Sequence, residues 1–307
     1  MSIGYWLAYA PAKLLGYLPL SVLLLIADGI AKIGYHLLRY RRKVVRENLC
    51  QAFPEKSEKE IIAYEKRFYS HFLRQLFESF KLLTFSKEEA ARHISFSGID
   101  IIDELREEGC PVVFLMMGHY GNWEYFTAAP LHIKSLGYDL HQIYRPLKNK
   151  SIDRLMKVMR EQYGAYSIAK EDVGRSVISL KRNPREGQTA LIIFIADQTP
   201  SKRNIHYFAS FLNRPSAFFT GAERLAAKLD IPIVYMDVRC TGKGHYHGEL
   251  SMLSRHPAKE PFGLITERFA EKLEQTIRQD PPYWLWSHRR WKHNIEDYPN
   301  IPRSAKL

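Results

Sequence analysis

Residues 111–124 read PVVFLMMGHYGNWE. Pro111 to Met117 is an uncharged run of branched and large apolar side chains, and Gly118 closes it. A run of this length bounded by glycine predicts a strand buried on both faces. Outward from it, similar short runs recur at Leu140 to Tyr144, Ala165 to Ala169, Thr189 to Ile195, Pro232 to Cys240 and Tyr246 to Leu253. Between most of them the pattern turns helical, over residues 120–135, 149–162, 172–183, 217–229 and 261–279. Strands alternating with helices predict an α/β fold with a mostly parallel central sheet flanked by helices. In such sheets ligands sit beyond the carboxyl ends of the strands, where His119 falls.

His119 stands at a strand end, with Gly118 and Gly121 allowing close backbone approach and Glu124 one turn into the predicted helix. A carboxylate at that spacing can fix the imidazole tautomer and stabilise imidazolium, giving a general-base dyad. The same pattern suits a structural histidine at a helix start. Cys110 precedes the strand and lies at its wrong end for chemistry, and no nucleophilic Ser or Cys accompanies His119. Arg145 follows the second strand and suits an oxyanion, a substrate phosphate or a surface salt bridge. Backbone N–H groups around Gly121 are a second oxyanion candidate. Asn149 reads as a substrate contact or a helix cap. Asp197 and Gln198 follow the fourth strand and face the same edge, to hold Arg145 or an acceptor headgroup, or to form the turn before Thr199-Pro200. The segment 199–215, with Lys202, Arg203 and Arg214, reads as a long loop that meets an acidic partner or remains a surface loop.

Near the C-terminus, residues 281–292 read PPYWLWSHRRWK. Three tryptophans beside Arg289, Arg290 and Lys292 suit a membrane interface or a phosphorylated headgroup, and equally an aromatic core stacked with guanidinium groups. His245 and His247 share a strand face, but no third ligand lies nearby in sequence, so no metal is predicted.

The chain has 307 residues, 45 Lys plus Arg against 33 Asp plus Glu, and a net charge of +12. With 46% hydrophobic and 25% charged residues and a mean hydropathy of −0.31, it is neither disordered nor a many-span membrane protein. Three isolated cysteines encode neither a disulfide framework nor a zinc knuckle, which fits a reducing cytoplasm. The first 27 residues carry one charge, Lys13, and no charge precedes the apolar start as in a secretory signal. They read as a retained hydrophobic anchor, spanning or lying in the membrane. Arg39, Arg41, Arg42, Lys43 and Arg46 follow at once, and apolar insertion beside a polybasic cluster holds a protein on an anionic leaflet. A buried core helix before a solvated basic turn is the plainer reading. From Ile61 to Thr84, IIAYEKRFYSHFLRQLFESFKLLT has the period of an amphipathic helix. The organisation predicted is an anchor with a basic end over residues 1–46 and one α/β domain over 47–307. Nucleic acid is not the expected partner, since the densest basic cluster abuts lipid-like sequence and no reader motif appears.

The stretch MGHYGNWE resembles the His-x4-Asp/Glu motif of glycerolipid-type acyltransferases, and in detail that of the secondary lipid A acyltransferases of lauroyl and myristoyl transferase type. Tyr144-Arg145-Pro146-Leu147-Lys148-Asn149, Ala196-Asp197-Gln198, Thr220-Gly221-Ala222 and the tryptophan-rich terminus resemble that family in order and spacing. The resemblance covers most of the chain and implies a glycerolipid-acyltransferase-like fold. It implies transfer of a fatty acyl chain from an acyl carrier protein thioester to a hydroxyl of a lipid A precursor, on the cytoplasmic face of the inner membrane of a Gram-negative cell. His119 and Glu124 are then catalytic, with no covalent acyl-enzyme and no cofactor beyond the carrier thioester. Arg145, Asn149, Asp197, Gln198, Arg289 and Arg290 are then the substrate-binding residues. Lysophospholipid, glycolipid or amino-lipid acceptors, and a non-catalytic lipid-binding protein, are the alternatives.

Overall fold

A computed structural model describes residues 3–307. Met1 and Ser2, the first two residues of the expected anchor, lie outside the described residues. The central sheet has seven strands, β1 (Ile94–Ser97), β2 (Val112–Met117), β3 (Tyr138–Tyr144), β4 (Tyr166–Ala169), β5 (Thr189–Ile195), β8 (Ile233–Gly242) and β9 (His245–Ser254). Between β5 and β8 in sequence, β6 (Phe208–Phe211) and β7 (Arg214–Ala217) form a separate two-stranded sheet. The strand order is β1-β9-β8-β2-β5-β3-β4. Strands β8, β2, β5, β3 and β4 run parallel. Strand β9 returns antiparallel to β8, and β1 pairs parallel to β9, so the sheet is mostly rather than wholly parallel. Every side chain of β2 is buried, as expected for a central strand covered on both faces.

Two sequence expectations change. The segment 199–215 is not one long loop, because β6 and β7 form a hairpin joined by Leu212 and Asn213, both with positive φ. The segment after His119 is a short 3-10 helix, Trp123–Ala128, followed by a single helical turn over Pro130–Ile133. Pro130 fixes its own φ and removes a donor, so a regular helix over 120–135 is interrupted there.

The apolar N-terminus is two helices, α1 (Ile3–Tyr17) and α2 (Leu20–Ile33), with the break at Leu18 and Pro19. Together with the π turn that follows it, α2 belongs to a segment, Leu20–Leu37, long and apolar enough to cross a membrane by length and composition. Helix α3 (Arg42–Ala52) leads to the long helix α4 (Glu58–Lys81), which starts at a capping box of Ser57 and Glu60. Both α1 and α2 pack on α4. Gly16 lets α1 approach closely, since a Cβ there would lie 2.7 Å from the Phe80 carbonyl oxygen. In α2, Leu23, Leu24, Ala27 and Ala31 are buried, and Asp28 receives Nε of Arg74 at 2.7 Å. The acid in the apolar helix is thereby paired on α4. The opposite faces remain open, with Leu7 72%, Leu25 73% and Leu37 76% exposed. Tyr5, Ala12, Tyr35 and Val45 of the N-terminal segment share the hydrophobic core with β2 and β5.

Candidate active site

Strands β2, β5 and β3 are neighbours and end on one edge, which brings His119, Asp197 with Gln198, and Arg145 to the same place. His119 Nδ1 lies 2.5 Å from Asp197 Oδ1, and the His119 backbone N–H donates to Asp197 Oδ2 at 3.0 Å. The Trp284 indole N–H donates to the same Oδ2 at 2.7 Å. With Asp197 accepting, the proton of a neutral imidazole sits on Nδ1, and Nε2 keeps its lone pair. Burial alone would raise the Asp197 carboxyl pKa. The charge of the His119 imidazolium and the donors from His119 and Trp284 outweigh it and hold the pKa down at about 2. Gln198 Nε2 lies 3.2 Å from His119 Nε2, so that nitrogen is within reach of a donor on the cleft side.

Glu124 does not meet His119. It forms a two-pronged pair with Arg160, Nε to Oε2 at 2.9 Å and Nη2 to Oε1 at 2.5 Å. The Trp123 ring packs against His119 instead, nearly perpendicular to it, with centroids 4.8 Å apart. The 3-10 geometry of 123–128 accounts for this, because the spacing that aligns residues on an α-helix is absent. Gly121 has φ of +60°, and a Cβ there would lie 3.1 Å from the Tyr246 ring. Its N–H donates to the Tyr283 carbonyl at 3.0 Å and is therefore occupied rather than offered to an oxyanion. The His71 Nε2 and the Gly121 carbonyl lie 3.3 Å apart, and the Asn122 amide donates to Glu78 at 3.0 Å. The loop is thus fixed from α4.

The cleft over this edge encloses about 660 Å³ and includes His119, Gln198 and Arg145 in its lining. Trp123, Ile143, Met156, Val173, Phe194 and Phe219 make its walls largely apolar, with Arg160 and Lys170 as further cations. Arg145 is exposed and has no acidic partner among the described residues. Leu147 and Ile152 line the cleft and are 41% and 37% exposed, so its rim is apolar too. The helix Lys150–Glu161 that carries Ile152, Met156 and Arg160 also packs on α1, next to the exposed apolar N-terminal faces.

Other predicted residues fall elsewhere. Asn149 caps the helix Lys150–Glu161, accepting from the backbone N–H of Ser151 at 3.0 Å and of Ile152 at 3.2 Å. Arg290 is 1% exposed, so substrate cannot reach it: it donates to the Ala217 carbonyl at 2.6 Å and stacks 4.3 Å over Phe218. Trp284 and Trp286 are buried as well, so the aromatic terminus completes the core. Arg289 is exposed and lines a separate basin. His245 and His247 face backbone and serine oxygens. Among the described residues no three His, Cys, Asp or Glu converge on a metal position. Trp284 as the second donor to Asp197 and Arg160 as the partner of Glu124 carried no sequence signal that singled them out.

An imidazole backed by a buried carboxylate thus opens into a largely apolar cleft at the carboxyl edge of an α/β sheet, with room for a hydrocarbon chain. A family profile described as bacterial lipid A biosynthesis acyltransferase matches residues 1–293. The lipid A biosynthesis lauroyltransferase of Escherichia coli strain K12 is 23% identical over 301 residues, covering 96% of this chain and 93% of that protein. A lipid A biosynthesis acyltransferase of Haemophilus influenzae is 21% identical, covering 92% and 86%. The lipid A biosynthesis acyltransferase 2 of Shigella flexneri is 25% identical over 146 residues, 47% of this chain and 45% of that protein. The chain belongs to the bacterial lipid A biosynthesis acyltransferase family, and as such is an acyltransferase.

Proposed function

We propose that the protein transfers a fatty acyl chain from an acyl carrier protein thioester to a hydroxyl of a lipid A precursor, with His119 as general base. The observation that carries this reading is the 2.5 Å contact of His119 Nδ1 with Asp197, which leaves Nε2 toward the apolar cleft. A lipid hydroxyl is far too weak an acid to ionise unaided near neutral pH, so its proton must leave as the new bond forms. The hydroxyl oxygen attacks the thioester carbonyl carbon while Nε2 takes the hydroxyl proton. Asp197, ionised throughout, balances the imidazolium. The tetrahedral oxyanion collapses, the carbon–sulfur bond breaks, and the departing thiolate takes the proton back from Nε2. The products are an ester and a free thiol.

Arg145 lines the cleft without an acidic partner among the described residues, which supports a role for it toward the oxyanion or a substrate phosphate. Glu124 acts at one remove, holding the Arg160 guanidinium in the cleft wall. Gln198 occupies the position at Nε2 that the acceptor hydroxyl takes over. The exposed apolar faces of α1 and α2 and the apolar cleft rim fit a protein seated on the cytoplasmic face of the inner membrane, with the acceptor entering from the bilayer. No cofactor is needed beyond the carrier thioester. The test supplies labelled acyl carrier protein thioester to purified wild type and His119→Ala, with a lipid A precursor and a lysophospholipid in parallel. Labelled lipid A precursor from wild type, and a loss of about 10²-fold or more in His119→Ala, are expected. Retained transfer in the variant rejects His119 as the base, and labelling of the lysophospholipid alone rejects the acceptor.

A further inference from the structure

The three basic segments that are separate in sequence meet in space. Arg39 and Arg41, then Arg214, then Arg289 and Lys292, line one concavity of about 600 Å³ that lies apart from the catalytic cleft. Lys43 and Arg42 also line it, and the acid there is Glu47. Arg42 is committed to the buried Glu65 at 2.8 Å, and Lys43 lies 3.8 Å from Glu47. Arg39, Arg41, Arg214, Arg289 and Lys292 have no acidic partner among the described residues.

The concavity is built rather than incidental. The Asn48 amide, buried at its floor, donates to the carbonyls of Trp286 at 2.9 Å and His288 at 3.0 Å. Arg41 Nη1 donates to the Ser287 carbonyl at 3.0 Å, and the Asn213 amide donates to the Ala52 carbonyl at 3.1 Å. These bonds fix α3, the β6–β7 turn and the C-terminal segment to one another. Arg39 and Arg41 both have positive φ, a conformation that favours glycine, yet both positions carry arginine. The Arg214 guanidinium lies 4.8 Å over the Trp291 ring. Glu47 offsets Lys43, which leaves five cations without an acidic partner; they repel one another, and an anion in the concavity relieves that repulsion. Guanidinium forks match phosphate oxygens two at a time. The concavity also begins where the exposed apolar stripe of α2 and the π turn after it ends, two residues after Leu37.

We infer that this basin binds the headgroup of a membrane lipid bearing clustered phosphates. The inference goes beyond acyl transfer and does not depend on it, since no residue of the basin belongs to the cleft. The test uses the full chain and phosphatidylcholine vesicles containing a few mole per cent of phosphatidylinositol 4,5-bisphosphate, against vesicles of equal charge made with phosphatidylglycerol. Wild type is expected to bind the bisphosphate vesicles about tenfold more tightly. Arg39→Ala with Arg289→Ala removes that preference, while Lys87→Ala with Arg182→Ala, the same charge change elsewhere, keeps it. Thermal melting of both variants separates loss of binding from loss of fold. Equal binding to the two vesicles, or equal losses in the two variants, overturns the inference. So does tight binding of soluble pyrophosphate with no vesicle preference, or binding of acyl carrier protein through Arg39 and Arg289 with the bisphosphate vesicles ignored.

Discussion

The centre of the site is a contact between residues 78 apart in sequence, His119 and Asp197. Both were legible as chemistry at the carboxyl edge, because each follows an apolar strand. Their partnership was not, because it depends on β2 and β5 being neighbours, which the order of strands along the chain does not reveal. The sequence pattern offered Glu124 instead, and a 3-10 turn directs it to Arg160. Asp197→Asn keeps the shape but removes the charge that orients and balances the imidazole, so kcat is expected to fall by about 10²-fold or more with the fold intact. The Asp197 carboxyl, held at about 2 against an ordinary 3.8, binds its proton more weakly in the folded than in the unfolded chain. Its contribution to stability is therefore complete above about pH 4 and is lost as pH falls toward 2. Activity measured from pH 5 to 9 is expected to show no step from this group.

Among the elements, six of the seven strands of the central sheet were readable to within a few residues because continuous apolar runs leave few other structures, whereas the edge strand β1, four residues reading ISFS, was missed because it is short and half polar. The β6–β7 hairpin was hidden, since its turn is Leu212-Asn213 rather than a glycine pair and Pro215 lies within the second strand. At the N-terminus, apolar composition was plain, but not the break at Pro19 or the docking of both helices on α4. Docking depends on side chains that no periodicity shows, such as Asp28 against Arg74 and the bare backbone at Gly16. Gly16→Val places carbon against the Phe80 carbonyl and the Thr84 side chain. It is expected to destabilise the fold by about 1–3 kcal/mol, as overpacking does. A lowered urea midpoint and faster proteolysis near Leu18 would show α1 lifting from α4, and an unchanged midpoint would count against that packing.

Across the whole molecule, the charge of +12 resolves into places. Arg42 and Arg46 turn inward to the buried Glu65, Arg290 is buried, and Arg39, Arg41, Arg214, Arg289 and Lys292 gather in one basin. The exposed apolar faces of α1 and α2 adjoin both that basin and the helix that walls the cleft. Stability should also carry a pH signature. Burial lowers the His71 pKa to about 4 from 6.5, and burial with the nearby Arg290 charge lowers that of His288 to about 4. Both imidazoles bind a proton more tightly when the chain is unfolded, so their contribution is complete above about pH 6.5 and declines as pH falls toward 4. Urea midpoints are expected to fall over that window and to fall less steeply in His71→Gln.

Single-turnover transfer by wild type, His119→Ala, Asp197→Asn and the double variant is the most direct test of a carboxylate-backed histidine base. Residues that act as one unit lose their effect together, so the double variant should be slowed no further than His119→Ala, within a few fold. Losses that multiply would show that Asp197 serves the reaction by a route other than His119. Full transfer in His119→Ala would contradict the site altogether.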